Sequence, residues 1–289
     1  MKLLFVINPV AGGKDHSDTI QMISDEARVY GWQPVTLLTT GKADEDALEK
    51  ALKDIRPARV AVGGGDGTIR MVAERLMPGK LPLAILPLGS ANGLATALEI
   101  PMDPLEAVRR MLQAKTIRNM DMLKFNDNHY CIHVGDIGVN ALIVKRYEEG
   151  GERGMMGYAK NLLGAIQESP QLKITVKTPG EVFRKEGFMM VFANAHKYGT
   201  GVHISEGSVS DGQFEICNVE KIALDDAIKA GLTILDVFVD KNMFSDVISC
   251  KRAEIEIDQP THFQVDGEYV GMTDFIKIEI VPACIKLLA

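Results

Sequence analysis

Three short apolar runs in the first third of the chain each end in a bare, glycine-bearing loop. LLFVIN leads into NPVAGGK at 8–14, VAVG leads into GGGDGT at 63–68, and LAILPLG opens LPLGSANGLA at 86–95. Between them lie a further strand-like run, PVTLLT, and segments of helical period near 18–30, 43–53, 68–76, 92–98 and 104–113. Short continuous apolar strands that alternate with amphipathic helices predict a parallel sheet covered on both faces, which is an α/β doubly wound domain. In such sheets ligands sit at the carboxyl ends of strands, and all three glycine loops fall there.

From about Met120 the texture changes. Strand-like runs CIHVG, LKITVK, FMMVFANA, QFEICNV, AEIEID, HFQVDG and FIKIEIV follow one another with turn signals between, and helices are expected only near 155–167 and 224–240. This pattern predicts a second, β-rich, mainly antiparallel and sandwich-like domain. The expected division is 1–120 and 121–289, with the last strand packing back near the junction.

At 289 residues and 46% hydrophobic the chain can build a real core. Cys131, Cys217, Cys250 and Cys284 show no C-x-x-C spacing, so neither a structural zinc nor a disulfide framework is expected, and a reducing cytosol suits the chain. MKLLFVINPV reads as a first strand, because Asn8-Pro9 cuts an apolar run too brief for a signal peptide. The most apolar stretch, LPLAILPLGSANGLATALEIP, carries prolines, Ser90, Asn92 and Glu99 and so falls short of the roughly 18 uninterrupted apolar residues of a membrane span. A net charge of −7 argues against nucleic acid as a partner. RRMLQAKTIR at 109–118 has four basic residues and no acidic one; it fits either a solvated helix face or a membrane-facing patch.

After a strand, GGGDGT lets backbone N–H groups approach a phosphate, and the helix that follows adds its positive N-terminal end. The spacing is neither G-x-x-x-x-G-K-[ST] nor G-x-G-x-x-G. A plain strand-to-helix turn capped by Asp66 or Thr68 explains this loop equally well taken alone. Three such loops at the ends of parallel strands favour a polyphosphate or nucleotide site.

NPVAGGK, GGGDGT and LPLGSANGLA, in this order and at this spacing, resemble the catalytic domain of the diacylglycerol kinase family, which includes bacterial soluble lipid kinases and sphingosine kinases. That family joins an α/β domain related to those of NAD kinase and phosphofructokinase to a β-rich domain. NAHKYGTGVHISEGSVSDGQFEI at 194–216 resembles the family's loop ending in Asp-Gly, and QVDGEYV at 264–270 its late catalytic motif. GGDGT is shared with NAD kinase, whereas Gly-Ser-Ala-Asn and VDGE together favour a lipid kinase. The resemblance implies ATP held by Asn8, Gly12, Gly13, Thr40, Gly64, Gly65, Asp66, Gly67, Thr68, Gly89, Ser90 and Asn92. It makes Asp266 the catalytic base and Glu268 its acidic neighbour, and it places a structural Mg²⁺ at Asp211. The implied activity is transfer of the ATP γ-phosphoryl group to the hydroxyl of a diacylglycerol-like or sphingoid lipid. The acyl chain would enter an apolar cleft between the domains. The implied setting is cytoplasmic, with transient contact at the inner membrane surface, and a homodimer is a candidate assembly. The rival expectations are a kinase for a soluble alcohol such as NAD and a homologue that binds nucleotide or lipid without catalysis.

The physics suits those roles. Phosphoryl transfer rests on positioning and fixed charge stabilisation, with a carboxylate to orient the alcohol or accept its proton. Asp266 and Glu268 would share one side of an extended strand, unless Asp-Gly forms the type I′ hairpin turn that it strongly favours. SDG at 210–212 carries the same turn signal. The chain departs from the family at Arg70 and Met71, where Asn-Glu is usual, at Ser205 and Ser210 in the later loop, and at Gly93. His133 and His203 lie in strand-like runs without partners at metal spacing and are expected in the core or at an edge. Met155 and Met156 suit either the core or a lipid-tail pocket.

Overall fold

The computed structural model describes residues 1–77, 79, 81–126, 129–150, 164–194, 197–198, 202–203, 208–220 and 244–288, with the backbone alone at 197–198, 202–203 and 244–246. The chain divides into two compact units, Met1–Asp121 with Pro282–Ala289, and Met122–Val281. The expected segment 121–289 thus gives Asp121 and its last residues to the first unit. The reason is local: Asp121 Oδ1 accepts the Ala283 N–H at 2.7 Å, and Lys286 and Leu287 pair with Pro82 and Leu83.

The first unit runs β1 (Lys2–Ile7), α1 (Ser17–Val29), β2 (Gln33–Leu38), α2 (Asp44–Ile55), β3 (Arg59–Gly64), α3 (Asp66–Leu76), β4 (Pro82–Pro87), α4 (Gly93–Ala97) and α5 (Pro104–Gln113). Its strands are parallel in the order β2-β1-β3-β4, and the final residues of the chain add beyond β4. Leu3 to Ile7 are fully buried, as expected of a strand covered on both faces. Leu3, Phe5 and Ile7 join Ile23 and Ala27 of α1 and Val108 and Met111 of α5 in one apolar cluster. Alternation sends Leu4 and Val6 to the other face. There α2 packs on α3 as α1 packs on α5.

Helix α5 shows how its ends are fixed. Pro104 opens it and Asp103 Oδ1 caps it by accepting the Glu106 N–H at 2.8 Å. At the far end Arg59, stacked 5.0 Å over the Trp32 ring, donates to the carbonyls of Met111 at 2.8 Å and Ala114 at 3.0 Å. Arg59 opens β3, so the basic run 109–118 lies at the amino ends of the strands. The glycine loops lie at the other end.

The second unit contains the end of β5 (Ile117–Phe125), from Met122 on, then β6 (His129–Cys131), β7 (Val134–Gly138), α6 (Val139–Glu148), β8 (Leu172–Lys177), β9 (Val182–Gly187) and β10 (Met189–Ala193). It continues with β11 (Lys197–Tyr198), β12 (Val202–His203), β13 (Phe214–Val219), β14 (Phe244–Cys250), β15 (Arg252–Val265) and the greater part of β16 (Glu268–Leu288). Pairing here is antiparallel: β9-β8-β15 on one path, β14-β13-β10-β7-β15 on another, and β11 with β12 apart. β15 serves both paths, bonding β8 through Glu254–Ile257 and β7 through Phe263–Val265. Its register against β16 shifts between Glu256 and Thr261, where Pro260 has no N–H to offer a ladder. AEIEID and HFQVDG, expected as two strands, are therefore one bent strand. Residues 155–163 of one expected helix, and the whole of the 224–240 helix, lie outside the described residues; 164–168 are helical.

The core of this unit gathers Phe125, Phe192, Phe214, Phe263, Ile255 and Ile276, all nearly or fully buried. Phe125 meets Phe192 and Phe263 edge-on, at centroid separations of 5.7 and 5.3 Å. Truncating Phe125 to alanine should therefore lower unfolding free energy by about 3–5 kcal/mol in urea titration. Truncating Val29, which is 80% exposed, should change it by less than about 0.5 kcal/mol.

Candidate functional site

The three glycine loops meet at the carboxyl ends of β1, β3 and β4. Asn8 N–H donates to the Gly63 carbonyl at 2.8 Å, and Asn8 Oδ1 turns its own loop by accepting the Val10 N–H at 3.1 Å. Gly12 has φ +63°, and a Cβ there would lie 3.3 Å from the Leu88 carbonyl oxygen and Gly89 carbonyl carbon. Gly89 N–H donates to the Gly64 carbonyl at 3.1 Å. A Cβ on Gly89 would come within 2.6 Å of Gly65 Cα, and one on Gly64 within 2.7 Å of Thr68 Cβ. Gly64 and Gly89 are thus bare because the fold leaves no room. Gly65 differs: its φ is −86°, and a Cβ there would sit 3.8 Å from Gly89 Cα, an ordinary contact.

Helix α3 begins two residues earlier than the sequence suggested, so Asp66, Gly67 and Thr68 form its first turn. Neither Asp66 nor Thr68 caps it. Its N-cap is Gly65, without a side-chain cap bond, and the first intrahelical bond runs from Ile69 N–H to the Gly65 carbonyl at 3.1 Å. Asp66 turns away to the next helix, its Oδ2 accepting Gly93 N–H at 3.2 Å and its Oδ1 Leu94 N–H at 3.4 Å. Asn92, at φ +51°, donates from Nδ2 to the Gly89 carbonyl at 2.9 Å; its Oδ1 is buried with no donor among the described residues. Ser90 and Gly13 are exposed, and the space beside Gly13 is open for 4 Å. Thr40 stands after β2, where its N–H and hydroxyl both bond Asp44 Oδ1, at 2.8 and 3.0 Å. Burial raises the Asp44 pKa, but the N–H groups of Thr40 and Gly41 outweigh it and hold the carboxyl below its usual range. Arg70 pairs with Glu74 at 3.5 Å on the next turn of α3.

This end of the first unit fits a nucleotide phosphate. It offers a helix N-terminus with no side-chain cap, glycine backbone on both flanks and one unmatched buried acceptor, Asn92 Oδ1, suited to a ligand N–H or O–H. It does not offer a side-chain cage for Mg²⁺. Asp66 bonds α4; in the second unit, Asp211 closes its own loop by accepting Ser208 N–H at 2.8 Å and Gln213 N–H at 2.9 Å. Among the described residues no three His, Cys, Asp or Glu side chains converge.

In the second unit Asp266 and Gly267 form the two-residue turn between β15 and β16, with φ +50° and +81°, and Val265 faces Glu268 across it. This is the hairpin turn that Asp-Gly signals, so the shared side expected for Asp266 and Glu268 is not realised. Asp266 is buried and Glu268 exposed. The Asp266 carboxylate accepts Ile132 N–H at 2.9 Å on Oδ2, and on Oδ1 His133 N–H at 3.0 Å, Val134 N–H at 3.1 Å and the Cys131 thiol at 3.2 Å. Asn194 clamps the other side of that bend: its Nδ2 donates to the Ile132 carbonyl at 3.0 Å and its N–H to His133 at 2.9 Å. His133 is buried, as expected, and the His203 side chain lies outside the described residues.

Sequence reasoning missed Cys131, Asn194, Asp136 and Gln264. Their one signal was a polar residue inside an apolar strand, which is informative when buried. Asp136 and Gln264 are 0% and 2% exposed and hydrogen-bonded to each other. Further along the same hairpin His262 Nδ1 lies 2.9 Å from the Tyr269 hydroxyl; burial, with Lys145 and Arg146 nearby, holds that imidazole below its usual pKa.

Residues 2–125 match the diacylglycerol kinase catalytic domain, and residues 132–289 match the YegS C-terminal NAD kinase beta sandwich-like domain. A probable lipid kinase YegS-like from Serratia proteamaculans is 26% identical over 293 residues, covering 98% of this chain and 92% of its own. A diacylglycerol kinase from Bacillus subtilis is 22% identical over 276 residues, covering 92% and 89%. The crystal structure of a diacylglycerol kinase from Bacillus anthracis shares the fold, with a TM-score of 0.74 at 20% identity over 99% of this chain and 96% of that one. Among the described residues no helix is long and apolar enough to cross a membrane. With a diacylglycerol kinase catalytic domain followed by a YegS-type C-terminal domain, the chain belongs to the diacylglycerol kinase-like family of lipid kinases.

Proposed function

We propose that the chain is an ATP-dependent lipid kinase that phosphorylates the hydroxyl of a diacylglycerol-like or sphingoid lipid, acting at a membrane surface. The observation that carries this reading is the uncapped N-terminus of α3 set among three glycine loops. In this reading the first-turn N–H groups of α3 and the backbone at Gly12, Gly13 and Gly65 take the triphosphate, and Asn92 Oδ1 accepts from the nucleoside. Mg²⁺, arriving with the triphosphate, supplies charge neutralisation when bound. Asp266 orients the lipid hydroxyl and takes its proton. Its three backbone donors hold the carboxylate in one orientation, which is what a positioned acceptor needs. Glu268 stands at the exposed end of the same turn, where it sets the local charge.

Incubating the protein with γ-labelled ATP, Mg²⁺, pooled membrane lipids and NAD should place label in a lipid. Labelled NADP with no labelled lipid would instead point to the soluble-alcohol kinase, and label in neither to a homologue without catalysis.

Two glycines separate a phosphate cradle from a packing requirement. Gly89→Ala should lose about 1–3 kcal/mol of stability, because backbone blocks its Cβ. Gly65→Ala should stay within about 1 kcal/mol of the parent, yet raise the KM for ATP roughly tenfold, because its methyl would stand where phosphate oxygens come. An unchanged KM in Gly65→Ala would remove the phosphate from this loop.

Asp266→Asn should cut turnover by about 10²–10⁴-fold with ATP affinity kept. It should also melt at lower temperature, since its amide N–H must face donors that now bond the carboxylate. Turnover is therefore to be compared below the melting range of the variant, and equal rates there would exclude Asp266 as the acceptor.

A further inference from the structure

Asp136 lies in β7 with no exposed surface, on the face of the strand that α6 covers. Its Oδ2 accepts from Asn140 Nδ2 of α6 at 2.6 Å and from Gln264 Nε2 of β15, the residue directly across the ladder. Gln264 is 2% exposed, and its Oε1 accepts the Gly267 N–H at 2.8 Å. Gly267 is the second residue of the turn that carries Asp266.

The chemistry of these groups fixes the direction of the chain of bonds. A carboxylate only accepts, so Asp136 obliges Gln264 to present its NH₂. The Gln264 carbonyl oxygen then points the other way, to Gly267. An amide is a two-ended group: setting one end sets the other. The Asp266 carboxylate is held from a separate direction, by the backbone of Ile132 to Val134, and that segment leads straight into β7 and Asp136. Turn and cradle thus share one strand.

We propose that Asp136, acting through the amide of Gln264, is a positioning residue for the Asp266–Gly267 turn. In this proposal Asp136 sets the Gln264 amide, and the amide holds the turn in register with the Asp266 cradle. The catalytic consequence rests on the reading of Asp266 given above, whereas the structural link does not.

The experiment follows the Gly267 amide by hydrogen exchange in the full-length, ¹⁵N-labelled protein, comparing wild type, Gln264→Met, Asp136→Ala and the double variant. If Asp136→Ala does not fold, Asp136→Leu takes its place, because an apolar side chain of similar size cannot accept from Gln264 Nε2. Each single variant should speed exchange at Gly267 about tenfold, the scale of one lost hydrogen bond, while amides of β8 and β13 stay unchanged. The double variant should exchange no faster than Gln264→Met, since both changes break one link. With 1,2-dioleoylglycerol in phosphatidylglycerol vesicles, turnover should fall about tenfold in both single variants with the KM for ATP unchanged. Wild-type exchange at Gly267 in folded Gln264→Met or in the folded Asp136 variant, or losses that multiply in the double variant, would overturn the proposal. Full turnover in Asp266→Asn, or no turnover of this lipid by wild type, would count against the functional reading alone, because the exchange data judge the positioning link without it.

Discussion

At the carboxyl ends of β3 and β4 two backbones meet with no side chain between them. A Cβ on Gly89 would lie 2.6 Å from Gly65 Cα, closer than real Cβ atoms come, and 3.1 Å from Gly65 N. This contact lets β4's loop lie across the start of α3, and only then do the N–H groups of Gly93 and Leu94 reach the Asp66 carboxylate. Asp66 in turn is drawn off its own helix, which leaves the first turn of α3 without a side-chain cap. The bare backbone thus does two separate things: Gly64 and Gly89 permit the loops to pack, and the packing frees a helix end for an anion.

Three acidic residues, one in the first unit and two in the second, are each bound to backbone within their own unit. Asp66, Asp211 and Asp266 each accept at least two backbone N–H groups. For Asp66 and Asp211 this leaves a loop anchor. For Asp266 it also bears on the role proposed for it. A carboxylate gripped by three N–H groups and a thiol holds its place well, and that suits a step that asks for orientation more than for a strong base. Phosphoryl transfer through a loose transition state is such a step, because little bond formation to the attacking oxygen has occurred when the barrier is crossed.

The first unit was readable from its sequence because continuous apolar strands and glycine loops mark both the sheet and the end where its loops gather. The second was readable in class but not in detail. VFRKEG of β9 has two apolar residues followed by three charged ones, on a strand whose ladder runs along β8, so its apolar content is too thin to stand out. Pro260 reads as a strand break, yet it falls where the register of β15 shifts and costs no ladder bond. The polar chain behind Asp266 was invisible for a different reason. Asp136 and Gln264 are 128 residues apart and each looks ordinary alone. Only the antiparallel register of β7 with β15 makes them neighbours.

The basic run 109–118 shows how a charge pattern is reread once its elements are placed. Arg109 bonds Glu26 of α1 at 2.8 Å, and Arg110 donates to the Glu99 carbonyl at 2.7 Å. Positive charge at the close of α5 also complements the helix dipole, and Arg59 adds two bonds to the same carbonyl end. Local structure thus accounts for Arg109 and Arg110, while Lys115 and Arg118 remain on the exposed rim. The run sits at the amino ends of the strands, away from the loops that fit a nucleotide. A membrane contact made through it would hold the first unit by the end remote from its glycine loops.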